Sequence, residues 1–478
     1  MHELIQTAVT INETWQVILS VIGLSVTLVV TYFLIRFFFK ERRRQIEEKE
    51  IMMDGVLSKS AMGSLIASYI ARFGKDTPFS LIYVDIDGFN EYITAFGDKE
   101  AERLLERVST HMKDAMPKTV RIGRYFGDEF VVFVGNEFTR SQATDLAARI
   151  KKAVELPIKL FGDTEIHMTA SIGIAFHPIH GSTYKELVES LKIVIYTVKK
   201  SGGNAIRIYS EQMDKQEGEY VEYYYQIKNA IHRKEFQLYY HPMVDVRSHT
   251  VYGFETLIRW NHPEFGILSP FKFLNIMEQS GDIHWIGLWG LETLIKTQQM
   301  MEQDFPGQTL MFSMNLSPKQ LMSDTLATDF QKTIRKFKAR PETIVIEVVE
   351  FALFERQETI FKNIRRLKEL GFKIAIDGFG LDMQILEKAE DMALDMIKLD
   401  NAFLKEEESY MKARFAEILI DFAEKRKYTV VAETIEDEHM RDEALKYRVS
   451  IQQGYHFTKP LPVDQLKDYM LEGSFKTK

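Results

Sequence analysis

The sequence predicts an α/β protein: one transmembrane helix followed by two soluble domains, the second a (β/α)8 barrel. Three observations predict it. An uncharged apolar run fills 14–35, and strand-like runs alternate with helical stretches from Phe79 onward. From Asn315 to Gln453 the apolar runs end in a polar residue about every 28 residues, which suits one strand-plus-helix unit of such a barrel. The 478 residues suffice for two or three domains, and 45% hydrophobic with 27% charged residues is ordinary for a globular protein. The chain has no Cys, which excludes disulfides, thiolate zinc sites, iron–sulfur clusters and cysteine nucleophiles. Any metal must be held by oxygen or nitrogen. A net charge of −8 offers no field that would attract nucleic acid, and none is expected as a partner.

At about 1.5 Å per residue, a helix over 14–35 spans roughly 33 Å, enough for a bilayer core. Glu3 and Glu13 precede it with no Lys or Arg, whereas Arg36, Lys40, Arg42, Arg43 and Arg44 follow it. Trp15 and Tyr32 fall near the two expected interfaces. A cleaved signal peptide would need a basic start and a small-residue cleavage site, and neither is present. The expectation is a single-pass anchor over 14–39 in the cell membrane. The positive-inside rule puts both soluble domains in the cytoplasm. A helical linker follows over 40–53. It holds less than two clear heptads, so a coiled coil pairing two chains and a plain solvated helix are both open.

The first soluble domain is placed at 54–210. Its strand-like runs are FSLIYVD at 79–85, FVVFV at 130–134 and MTASIGIAF at 168–176, with helical periodicity over 98–116. The polar stretch 210–218 reads as a break without apolar period. A linker over 211–226 then leads to the second domain at 227–472. There the residues that close the apolar runs are Glu255, Asn315, Glu347, Asp377, Lys398, Glu433 and Gln453. A barrel carries its functional groups at strand C-termini. An open doubly wound sheet is the alternative, but the early Gly-rich phosphate loop that normally accompanies it does not appear. One Glu at a strand end is ordinarily a salt-bridge partner; six or seven polar groups at barrel spacing are not. Convergent acids suit divalent cations, and paired cations serve in-line phosphodiester hydrolysis. His177 and His180 flank a proline without a third ligand and read as a surface loop, and YVEYYY at 220–225 reads as a linker helix packing aromatics.

In the first domain, DIDGFN at 85–90 and RYFGDEF at 124–130 provide acids, Asp85 and Asp128, suited to Mg²⁺. With SIGIA at 171–175 and KKSGGN at 199–204, they resemble the GGDEF family over about 52–210. The resemblance implies a palm-like α/β fold that makes cyclic di-GMP from two GTP molecules. Several departures stand against that activity. The first Gly of the signature is Phe126, whose ring would occupy the close-approach position. The guanine-reading Asn falls at Ile93, its partner Asp at Glu102, and the phosphate-contacting Arg at Gly203. The inhibitory Arg-x-x-Asp reads Pro117-Lys118-Thr119-Val120. The resemblance so altered implies no cyclase activity, while Asp85 and Asp128 leave GTP open as an allosteric ligand.

The second domain resembles the EAL family of cyclic di-GMP phosphodiesterases over 222–472. The resemblance rests on Glu255-Thr256-Leu257 with Arg259, NLSPKQ from Asn315, IEVVE at 346–350, IAIDGFG at 374–380, IKLD at 397–400, VVAETIE at 430–436 and QGYHFTKP at 453–460. It implies a metal site of Glu255, Asn315, Glu347 and Asp377 for Mg²⁺ or Mn²⁺. Lys398 and Glu433 would act on the attacking water, and Glu350 would steady the catalytic loop. Arg259 would bind ligand phosphate beside Glu255, with Glu436 and Gln453 supporting the pocket. Three departures matter. The family's second aspartate is Gly378, the loop that couples metal to dimer contacts reads LDMQIL at 381–386, and Tyr-Gln-Pro reads Tyr240-His241-Pro242. Losing a ligand beside Asp377 should weaken the second metal most. The expected protein is a membrane-anchored cyclic di-GMP receptor with an inactive first domain, relaying occupancy to an unidentified protein partner in a bacterial inner membrane. A slow phosphodiesterase yielding pGpG and a non-enzymatic scaffold are the alternatives.

Overall fold

The computed structural model describes residues 55–161, 164–349, 357–378, 393–400 and 410–473. The expected anchor at 14–39 and the helical linker at 40–53 lie outside them. Among the described residues, no helix is long and apolar enough to cross a membrane.

The first domain is a five-stranded sheet in the order β2-β3-β1-β6-β7. Its strands are β1 (Phe79–Asp87), β2 (Arg121–Phe126), β3 (Glu129–Val134), β6 (Thr169–His177) and β7 (Ile206–Ile208); β4 (Ile158–Phe161) and β5 (Thr164–Ile166) form a separate hairpin. β1 is central and pairs antiparallel with both β3 and β6, so Asp85 stands opposite Glu129 on one side and Ser171 on the other. Only two residues join β2 to β3, with Gly127 at φ 51°. A tight hairpin needs positive φ, which glycine adopts without a Cβ clash. That turn brings Asp128 and Glu129 to the end of β1. Helix α1 (Phe89–Phe96) follows β1, and α2 (Asp98–Asp114) and α3 (Tyr184–Lys200) are among the helices packed around the sheet.

One helix, α4 (Glu211–His232), joins the domains, and the polar stretch 210–218 is therefore helical from Glu211 rather than a break. Glu, Gln, Met and Lys form helices well without an apolar period; such a period reports a buried face, not helicity. The second half of α4 has a buried face. Val221, Tyr224, Ile227 and Ile231 share one apolar cluster with Tyr196 of α3 and with Phe236, Trp260 and Phe273 of the second domain. His177 is also buried rather than in a surface loop. Its ring stacks on Phe79 with centroids 4.3 Å apart, and its Nδ1 lies 2.8 Å from the Thr77 carbonyl.

The second domain is a closed barrel. Its eight staves are β8 (Phe236–Asp245), β9 (Thr250–His262), β11 (Met311–Leu316), β12 (Ile344–Val349), β13 (Lys373–Asp377), β14 (Met396–Asp400), β15 (Thr429–Glu433) and β16 (Ile451–Gln452). The short β10 (Gly266–Leu268) and β17 (Leu461–Pro462) flank it. Neighbours from β9 through β16 run parallel, but β8 is antiparallel to both β9 and β16. The barrel is thus not the uniform (β/α)8 that the repeat suggests. β8 and β9 are separated by 246–249 alone, and a parallel pair needs a crossover of a dozen residues or more. Five residues from five adjacent strands, Met311, Val345, Ala375, Met396 and Val431, share a small apolar cluster with Met243 of β8.

Candidate functional site

The structure puts only some of the expected residues at strand ends: Asp377 and Glu433 close β13 and β15 and Gln453 follows β16, whereas Glu255 lies in the middle of β9 and Glu347 and Lys398 two residues before the ends of β12 and β14. The parallel register sets Asn315 beside Glu347, and Asp377 beside Val349 on the neighbouring strand. Lys398 lies at the centre, fully buried. Its Nζ is 2.7 Å from Glu433, 3.0 Å from Glu347, 3.1 Å from Glu255 and 3.9 Å from Asp377. Asn315 Nδ2 and Gln453 Nε2 each donate to Glu255, at 3.0 and 2.8 Å. All seven of these residues read from sequence therefore meet within one network around Glu255 and Lys398, which Asn315 and Gln453 join as donors.

Burial alone would drive the Lys398 ammonium towards neutrality, but the surrounding carboxylates outweigh it and hold its pKa well above the ordinary lysine value. Glu255 is pushed up by burial, yet Lys398 and the Gln453 amide outweigh that and leave it below the usual carboxylate range. Glu347, fully buried and close to Glu255 and Asp377, is pushed well above its ordinary value. Glu433 is raised by burial to about 7. Both Glu347 oxygens lack a hydrogen bond, although Lys398 is near.

The carboxylates and the Asn315 amide are hard donors that suit Mg²⁺ or Mn²⁺, and the unsatisfied Glu347 oxygens are what a cation would engage. Among the described residues, however, no three acids or histidines stand close enough together to hold a metal ion, and it is the Lys398 ammonium that lies between the acids. Of the remaining expected residues, Arg259 and Glu436 are outside that network but share a cleft with part of it. Arg259, Glu436, Gln453, Glu255 and Glu433 line a cleft of about 390 Å³ beside it, with His241 and Tyr455 on its wall. The Arg259 guanidinium donates to the adjacent Ile258 carbonyl at 2.8 Å, and Glu436 is exposed at the rim. Gly378 follows β13 with φ 63°, and a Cβ there meets no atom within 4 Å among the described residues. Glu350 and the loop at 381–386 lie outside the described residues.

In the first domain the acids also converge, but around a residue that the sequence reading passed over. Lys228 of α4 is 4% exposed and pairs with Asp85, with Glu129 at 2.9 Å and with Asp128 at 3.2 Å. Lys199 of α3 pairs with Asp85 at 2.7 Å and Asp87 at 2.6 Å. The Asp87 carboxylate also accepts from Thr169, Ser171 and the Asn204 amide. Burial pushes Asp85 up, but Lys199 and Lys228 outweigh it and leave it below its ordinary value; burial raises Asp128, and raises Glu129 to about 7. Glu102 is held by Arg124 at 2.5 and 3.0 Å, and the Phe126 ring packs edge-on to His232 at 5.0 Å. A signal for Lys228 was present in the sequence: it shares the three-four spacing of Val221, Tyr224, Ile227 and Ile231. A lone lysine on an apolar stripe needs a buried anion.

Residues 225–460 match the model of the EAL domain, and residues 53–205 match that of the diguanylate cyclase GGDEF domain. Among curated proteins, the chain is similar to cyclic di-GMP phosphodiesterase PdeR of Escherichia coli K12. The two are 26% identical over 428 residues, 88% of this chain and 64% of PdeR. It is likewise 26% identical over 392 residues to MucR of Pseudomonas aeruginosa, described as a bifunctional diguanylate cyclase and cyclic di-GMP phosphodiesterase, covering 82% of this chain and 57% of MucR. The chain thus spans between about half and two thirds of these relatives' length. Among solved structures, the PaMucR phosphodiesterase in complex with c-di-GMP aligns with a TM-score of 0.48 at 24% identity, over 51% of this chain and 99% of that one.

Proposed function

We propose that this chain, which carries a GGDEF domain and an EAL domain in tandem, is a membrane-anchored receptor whose barrel binds cyclic di-GMP and whose first domain makes none. The observation that carries the reading is the state of the barrel mouth. Glu255, Asn315, Glu347, Asp377, Lys398 and Glu433 gather there beside the Arg259 cleft, while the position after Asp377 is a glycine, with no side-chain ligand to offer. Ligand recognition is spread over many groups. Hydrolysis depends on few.

Arg259 supplies a guanidinium for ligand phosphate, the strongest kind of hydrogen-bond donor to such an anion. Gln453 and Asn315 hold the Glu255 carboxylate in place by donating to both of its oxygens. Glu255, Asn315, Glu347 and Asp377 are the residues that would hold a divalent cation, for which the acids would have to draw closer than they stand around Lys398. Such a cation would stabilise charge on phosphodiester oxygens. Lys398 fixes the orientation of the acids around it, and Glu433, with a pKa near 7, is poised to take a proton from water. The retained acids favour slow phosphodiester hydrolysis as the second reading. For the first domain, the altered positions Phe126, Ile93 and Gly203 support the absence of cyclase activity, and GTP stays as a candidate allosteric ligand.

Titrating the full chain with cyclic di-GMP, with and without Mg²⁺ or Mn²⁺, and analysing products tests this. Binding without product is the expected result, pGpG at steady turnover would make it an enzyme, and no binding would leave a scaffold. Arg259→Ala should weaken affinity by about 1.5–3 kcal/mol, roughly ten- to hundredfold. Unchanged affinity would put the ligand elsewhere. The same product analysis with GTP should yield no cyclic di-GMP. The anchor and its cytoplasmic-facing orientation are supported by the basic residues after 14–35. Reporter fusions at the C-terminus that light up outside the cytoplasm would overturn that orientation.

A further inference from the structure

We infer that Lys228 is a tethered cation occupying the place of a divalent metal in the first domain, so that a metal ion, alone or carried by a nucleoside triphosphate, enters only when α4 withdraws. The acids that suit Mg²⁺ in the sequence, Asp85 and Asp128, are both nearly fully buried and both within ion-pair reach of the Lys228 ammonium, which comes from outside the domain. Glu129 completes the set at 2.9 Å and is steadied from the other side by the Tyr83 hydroxyl at 2.8 Å. Asp128 Oδ1 has Lys228 at 3.2 Å yet no hydrogen-bond partner, so one buried anionic oxygen facing the ammonium is left for a further ligand.

The ammonium has little choice of position. Lys228 lies on the same stripe of α4 as Tyr224, Ile227 and Ile231, which are buried in the apolar cluster shared with the barrel. One turn further, His232 covers the signature hairpin: a Cβ on Gly127 would come within 2.8 Å of its imidazole, and Phe126 packs on the same ring. The altered signature residue is therefore a contact of the helix. Helix and acids close on each other through one charge and one aromatic pair, and the chain enters β8 of the barrel only three residues after α4 ends.

Lys199 already takes the other Asp85 oxygen at 2.7 Å, so a divalent ion would have to compete for the oxygens that Lys228 holds. A buried ammonium among three carboxylates and a divalent ion on the same oxygens repel at contact distance in a medium of low dielectric. As placed, with the ammonium between them, the acids do not stand close enough to hold a metal ion. Removing the ammonium leaves Asp128 and Glu129 without the ion pair they make, with only Lys199 still facing Asp85, and buried carboxylates so left should close on a divalent ion instead. The inference concerns the first domain alone and does not depend on what the barrel binds.

Mn²⁺ binding to the full chain, counted by electron paramagnetic resonance, tests it. Lys228→Met should bind one more Mn²⁺ per chain than the wild type, or bind it at least tenfold tighter, and adding Asp85→Asn should abolish the gain. Lys228→Arg, which keeps the charge, should behave as the wild type. An unchanged Mn²⁺ count and affinity in Lys228→Met, or a gain that survives Asp85→Asn, overturns the inference. If Lys228→Met does not fold, recovery of its thermal transition by millimolar Mn²⁺ supports the inference, and failure to recover counts against it.

Discussion

Lys398→Met is expected to lower the stability of the barrel by about 3–5 kcal/mol, the loss that follows when one partner of a buried ionic group is removed. Methionine matches the length of the stem and keeps the packing, so the variant isolates the charge. The side chain is fully buried, and four carboxylates lie within 3.9 Å of its ammonium. Without it, Glu255, Glu347, Asp377 and Glu433 face one another with no counter-charge. Trp260, Trp285 and Trp289 all belong to this domain, so urea unfolding followed by tryptophan fluorescence reports on the barrel. Lys296→Met is the control: its pair with Glu292 lies on an exposed helix face, 58% exposed at the lysine, and should be worth less than about 1 kcal/mol. A Lys398→Met midpoint no lower than that of Lys296→Met would mean that the acids are not held together by the ammonium.

Gly378→Asp is expected to raise hydrolysis of cyclic di-GMP at least tenfold over a wild-type rate that is absent or very slow, while affinity changes less than threefold. The structure permits the substitution. The site is exposed, a Cβ meets nothing within 4 Å among the described residues, and φ 63° is a conformation that Asp tolerates better than most residues, at a cost of about 1–2 kcal/mol. The effect is differential, since an acid beside Asp377 bears on charge that develops on the reacting oxygens more than on bound ligand. Mn²⁺ should support the gain better than Mg²⁺, which demands near-ideal octahedral geometry and binds such sites less tightly. The gain should be partial, because the loop at 381–386 also departs from the family pattern. Wild-type turnover in Mg²⁺ equal to that of Gly378→Asp would remove the receptor reading.

The barrel was legible because its signal is local and repeated: an apolar strand can bury both faces only if its polar end residue lies at the mouth, so Glu255, Asn315, Glu347, Lys398 and Glu433 could be read one strand at a time. The antiparallel β8 was legible too, since 246–249 is too short for a crossover, but the repeat drew attention to the later strands. The helical start of α4 was misread because absence of an apolar period was taken for absence of helix.

What the sequence by itself determined is part of the inventory and its order: several of the strands, the acids that lie on or just after them, and, by the resemblance, that Gly378, Phe126 and Ile93 depart from the family pattern. What only the tertiary structure decided is which charges meet. Lys228 and Asp85 are 143 positions apart, and Lys398 and Glu255 are likewise far apart in the chain, yet each pair is in contact. No periodicity encodes such a meeting. It depends on where the closed barrel and the docked helix leave a low-dielectric space, and there a carboxylate must find a cation, whether a lysine or a metal.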